Sequence, residues 1–139
     1  MPTPRSSNYL FVYGSLRRDA AGRKHPFLKT ARCLGPASLA GFLYDAGRYP
    51  GLIPARASQA PQAQGELYRL PAARERALLA RLDHYEECTA HFPPPREFQR
   101  RWLPVNFRRQ QVRAWVYVYN HPPQGLTRLQ AAHYPRRAG

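Results

Sequence analysis

A chain of 139 residues is of single-domain size and long enough to bury a core without disulfides or metals. Fifteen Pro, nine Gly and 12% aromatic residues argue against a bundle of long helices and favour short, strand-rich elements joined by turns. The net charge of +14, from twenty Arg and two Lys against eight acids, would concentrate anions, yet the arginines are scattered from Arg5 to Arg137 with no run longer than two, so a nucleic-acid role is not favoured.

Asn8 to Tyr13 is a continuous apolar and aromatic run that predicts a buried strand, and Gly14 ends it. Leu34 to Tyr44 predicts a second strand region, interrupted at Gly35-Pro36 and Gly41 and followed by a turn over 45–51. The stretch 63–70, AQGELYRL, predicts a third strand whose Gly65 implies a bulge or a close backbone approach.

Pro71 to Cys88 predicts the one helix, with Pro71 suited to its first turn and an apolar stripe of Leu78, Leu79, Leu82 and Tyr85. Pro93 to Pro95 stiffen the loop that follows. Two more strands are expected over 96–107 and 111–120. In the last, Trp115, Tyr117 and Tyr119 share one face while Val116 and Val118 take the other. The tail from Asn120 has little pattern, and 132–139 is expected to be disordered.

The helix carries a cluster of acids. At about 100° per residue, Glu86 lies about 50° from the centre of the apolar stripe, Asp83 about 110° and Glu87 about 150°. Of the three, only Glu86 faces the core. A carboxylate in that position either pairs with an arginine or has a raised pKa and serves as a general acid/base.

Other candidates are weaker. His84, Cys88 and His91 have a spacing that could line up metal ligands, but His91 falls past the expected helix end and no fourth ligand is evident. Ser15 lacks the second glycine of a nucleophile elbow and an obvious histidine base. Cys33 reads as a small buried residue, and two distant cysteines form no disulfide framework, which points to a reducing compartment. No apolar stretch precedes Tyr9 and none approaches the roughly 20 residues of a membrane span, so a soluble cytoplasmic protein with no membrane partner is expected.

The segments FVYGSLR at 11–17, GFLYDAGRYPGL at 41–52, GELYRL at 65–70, LDHYEE at 82–87 and AWVYVYN at 114–120, taken in this order, resemble the gamma-glutamylcyclotransferase-like superfamily, near its small bacterial members and the gamma-glutamylamine cyclotransferases. The resemblance covers about Tyr9 to Asn120. It implies an α+β fold, a small mixed β-barrel with packed helices and a cavity at one end, as one domain over 1–139 with its core at about 8–120.

The resemblance also implies a site. Tyr13, Gly14, Ser15 and Leu16 match the family's substrate-binding turn, Glu86 matches its catalytic acid, and Tyr119, or else Tyr117, would close the pocket. The implied substrate is a small L-gamma-glutamyl compound, whose alpha-amine attacks its own gamma-amide to release 5-oxoproline and an amine or amino acid, with no cofactor and a monomeric or homodimeric enzyme.

Two positions depart from the family pattern: Glu87 stands where the family has Gly, and Phe98 where it has the Tyr of a Tyr-x-Arg. His25 matches a histidine often found after the turn and is expected to be structural. The alternatives are a barrel of the same fold that binds a small metabolite without turnover, and a basic RNA-associated module.

Overall fold

The computed structural model describes residues 9–46, 50–56, 61–85, 98–120 and 122–129. Six strands lie in these segments: β1 (Tyr9–Val12), β2 (Arg32–Asp45), β3 (Pro50–Pro54), β4 (Gln62–Arg69), β5 (Phe98–Phe107) and β6 (Gln110–Tyr119). One α-helix, α1 (Glu75–Tyr85), follows a 3₁₀ turn at Ala72–Arg74, and a second 3₁₀ turn spans Pro26–Leu28.

The strands pair in the order β3-β2-β4-β1-β6-β5, and a further contact between β2 and β5 at Ser38 and Asn106 closes β2, β4, β1, β6 and β5 into a barrel. The barrel is mixed because β1 runs parallel to β6 while the other neighbours are antiparallel. This is the small mixed barrel of the α+β fold that the family resemblance implies.

β2 is a single strand of 14 residues, so the interruptions expected at Gly35-Pro36 and Gly41 do not break it. Gly35 instead takes a φ of +129° at a register shift, which lets the ladder to β4 continue past it. From Gly41 onward β2 leaves the barrel to pair with β3. A side chain at Gly41 would stand 2.7 Å from the Ile53 carbonyl oxygen, so the two backbones meet there only because the residue is glycine. β3 was not anticipated, since Pro50 and Pro54 bracket it; it is an edge strand, where a missing N–H costs least.

Two apolar layers flank the sheet. One is drawn mainly from strands and fills the barrel, with Phe11, Leu39, Leu67, Val105, Val116 and Val118 at its centre. The other lies outside, where Leu10, Tyr68, Leu70, Phe98 and Tyr117 receive Leu78, Leu79 and Leu82 of α1. Burying each of those leucines contributes about 1.5–3 kcal/mol. β6 divides as its alternation predicts, with Val116 and Val118 inside and Trp115, Tyr117 and Tyr119 on the helix side.

The hairpin between β5 and β6 turns through Arg108 and Arg109, both at positive φ (50° and 66°). That geometry suits the right-handed twist of the strands but ordinarily selects Asn-Gly, so two arginines leave the turn strained. The loop prolines at 93–95, the helix end at 86–88 and the tail at 132–139 lie outside the described residues. No helix among the described residues is long and apolar enough to cross a membrane.

Candidate functional site

The turn after β1 is anchored on both sides. Tyr13 is buried within the barrel layer, where its hydroxyl donates to the Tyr117 carbonyl at 2.5 Å and accepts from the Leu52 N–H at 3.2 Å. Leu16 is buried in the opposite layer, under α1. Side chains turned to opposite sides of the sheet therefore hold Gly14 and Ser15 between them.

The Arg17 N–H closes a β-turn onto the Gly14 carbonyl at 3.1 Å, and the Arg17 Nε donates to the same oxygen at 3.0 Å. A β-turn uses neither of its central N–H groups. Among the described residues those of Ser15 and Leu16 have no acceptor. Paired amides of this kind suit a carboxylate or a developing oxyanion.

A buried carboxylate fastens the far side of the turn, and it is one that the sequence reading overlooked. Glu66 of β4 is 1% exposed. Its Oε1 accepts from the Arg18 N–H at 2.9 Å and the Tyr68 hydroxyl at 3.2 Å, while its Oε2 accepts from the Arg18 Nε at 3.3 Å. Burial, then the Glu66 carboxylate, then the Cys33 thiol push the Tyr68 phenol well above its usual range. The signal was the acid itself, in step with the buried Tyr68 and Leu70 along an alternating strand.

The last turn of α1 meets this region. The Tyr85 hydroxyl lies 3.2 Å from the Ser15 Oγ. Tyr85 was expected in the buried stripe but is 42% exposed, since its ring leans edge-on against Phe27 at 5.0 Å and His25 at 5.8 Å rather than into the core. The His25 Nδ1 accepts from the Phe27 N–H and caps the 3₁₀ turn, a structural role.

Asp83 is more enclosed than a helical wheel suggests, because β5 and β6 curve past the helix. Arg100 Nε and Nη2 grip its two oxygens at 2.8 and 3.1 Å, and the Tyr117 hydroxyl donates to Oδ1 at 2.6 Å. Glu86 itself, with Cys88 and His91 of the metal candidate, lies outside the described residues. His84 is exposed, and Cys33 is half-buried rather than buried.

Tyr119 belongs to the same neighbourhood through β3. A Cβ on Gly51 would stand 2.8 Å from the Tyr119 ring, and one on Gly14 would stand 3.2 Å from the Pro50 side chain. Consecutive residues of the unforeseen strand thus back both the turn and Tyr119. Gly14 and Tyr119 meet adjacent residues of β3, and the side chains of Tyr13 and Leu16 anchor the turn that holds Gly14 and Ser15.

The family model described as gamma-glutamyl cyclotransferase, AIG2-like, matches residues 10–136. The chain belongs to this family. A gamma-glutamylcyclotransferase family protein of Citrobacter rodentium is 32% identical over 126 residues, 90% of this chain and 93% of that protein. A Niallia circulans protein named gamma-L-glutamyl-butirosin B gamma-glutamyl cyclotransferase is 35% identical over 122 residues, 86% of this chain and 72% of that one. Among solved structures, an AIG2-like protein of Mus musculus has the same fold, with a TM-score of 0.66 at 23% identity over 95% of each chain.

In this gamma-glutamyl cyclotransferase family member, Phe98 fills the place where a family tyrosine was expected. It is buried, with its ring edge-on to Tyr119 at 5.8 Å. A phenol there would bring a hydroxyl into an apolar contact, so the missing oxygen is consistent with the packing. Arg100, two residues on, is the arginine that holds Asp83.

Proposed function

We propose that the protein cyclises an L-gamma-glutamyl amide, releasing 5-oxoproline and an amine or amino acid. The observation that carries this reading is the contact between Ser15 and Tyr85, which sets the turn against the helix residue that directly precedes Glu86 in the chain. The family supports a gamma-glutamyl substrate, and the name of the Niallia circulans relative describes a gamma-glutamyl group carried on a larger molecule.

In the proposed reaction, the N–H groups of Ser15 and Leu16 receive an anionic oxygen of the substrate, and Gly14 allows it close to the backbone. Glu86, as carboxylate, takes a proton from the alpha-ammonium. The freed amine attacks the gamma-carbonyl carbon and closes a five-membered ring. The amide C–N bond then breaks: the departing nitrogen takes back the proton held by Glu86, and the second proton of the ring nitrogen passes to the released amine, which leaves a neutral lactam and an ammonium. Nothing in the sequence requires oxidation, reduction or an added cofactor, because nucleophile and leaving group belong to one substrate. In this reading Tyr119, whose ring faces Gly51 beside the Pro50 that backs Gly14, closes the site.

Replacing Glu86 by Gln keeps size and hydrogen bonding while removing the proton carrier. The variant is expected to lose roughly 10²–10⁴-fold in kcat for 5-oxoproline release from gamma-glutamyl amides. Release at the wild-type rate would rule out Glu86 as the acid/base. A wild-type chain that binds these amides in calorimetry without turning them over would instead be a non-catalytic metabolite-binding barrel.

A further inference from the structure

One strand residue connects the two parts of the proposed site. The backbone carbonyl of Tyr117 receives the Tyr13 hydroxyl at 2.5 Å, and Tyr13 directly precedes the turn. The hydroxyl of the same Tyr117 donates at 2.6 Å to Asp83 Oδ1 on α1, three residues before Glu86 in the chain. Arg100 on β5, paired with Tyr117 across the hairpin, holds both oxygens of that carboxylate. Tyr117 is 4% exposed; its bond from Tyr13 is buried and its bond to Asp83 is partly so.

The geometry points to Tyr117 as a positioning residue, which fixes the separation between the Gly14–Leu16 turn and the helix end through Asp83; this rests on the proposed role of Glu86. A helix end is ordinarily its loosest part, since its last carbonyls lack partners within the helix. Here the last described turn, which carries Asp83, is held by a bidentate guanidinium–carboxylate pair and a short phenol bond. Placement of an acid/base is worth this restraint, because small displacements of a reacting group cost rate steeply.

Tyr117→Phe removes the hydroxyl and leaves the carbonyl that receives Tyr13. It is expected to lower kcat for 5-oxoproline release about tenfold while KM stays within about twofold. Asp83→Ala, which also frees Arg100, is expected to cost more, and the double variant no more than Asp83→Ala alone, because without the carboxylate the Tyr117 hydroxyl has lost the bond that Tyr117→Phe removes. Hydrogen exchange read in the same proteins should quicken at the His84 and Tyr85 amides and stay unchanged in the barrel strands.

A kcat equal to wild type, a loss carried by KM, additive losses in the double variant, or unchanged exchange at His84 and Tyr85 would each overturn the positioning role. A wild-type protein without turnover would overturn the proposed function, and the catalytic meaning of Tyr117 with it, before any variant is compared.

Discussion

Glu66 and Tyr68 form a unit in which each residue determines the other's chemistry. The carboxylate is buried but accepts from the Arg18 N–H, the Arg18 Nε and the Tyr68 hydroxyl. Buried groups of this kind are tolerated only when their partners are in place. The phenol, fully buried beside a negative charge, keeps its proton to higher pH in the folded protein than its ordinary value of 10.0 allows in the unfolded chain. Above that value the unfolded state binds fewer protons than the folded one, so stability falls as pH rises. The contribution is complete below pH 10.0 and is lost progressively above it, at up to about 1.4 kcal/mol per pH unit for one group. Urea denaturation between about pH 9 and 11 should show this slope in the wild type and a shallower one in Tyr68→Phe. Equal slopes would mean that Tyr68 titrates no differently when folded.

Among the elements, the pairing of β1 with β4 bears most directly on the site, because β1 delivers the turn. Val12 lies opposite Glu66, and the neighbouring Gly65 comes so close that an added Cβ would stand 2.3 Å from the Val12 carbonyl oxygen and 2.7 Å from the Phe11 ring. The obstacle is backbone and a packed ring, neither of which yields cheaply. Gly65→Ala is therefore expected to destabilise the fold by roughly 1–3 kcal/mol, seen as a lower urea midpoint with an unchanged slope. A midpoint equal to wild type would show that β1 can shift at no cost. Gly65 was legible in the sequence as either a bulge or a close approach, the two usual reasons for a glycine inside a strand, and the structure selects the close approach. The strands, the helix and the two faces of β6 were legible for a similar reason, since burial imposes a period that one sequence records. β3 was not, because its prolines mark it as loop until an edge position is known to excuse them. Nor was the enclosure of Asp83, because a helical wheel treats the helix alone, whereas Arg100 and Tyr117 reach it from strands distant in sequence. Glu66 was hidden by its own strand, in which the apolar neighbours drew the reading and the single acid did not.

Across the whole molecule, the arginines impose a field rather than a patch. A net charge of +14 attracts anions from every side, and at low salt that attraction extends about 10–30 Å from the surface. A gamma-glutamyl alkylamide carries one ammonium and one carboxylate and has no net charge to be drawn by that field. A gamma-glutamyl amino acid carries a second carboxylate and is drawn by it. Raising salt from about 20 to about 300 mM is expected to lower kcat/KM several-fold for the gamma-glutamyl amino acid and to leave the alkylamide within about twofold. Steady-state kinetics on the two substrates in parallel make the comparison, with each serving as the other's control for general effects of salt on the enzyme. A parallel decline in both would assign the effect to the site's own charges, Arg17 and Arg18 beside the turn among them. No decline in either would mean that the field does not guide substrates to the turn. The second carboxylate therefore separates guidance by the field from recognition at the site, and does so without altering any residue of the protein.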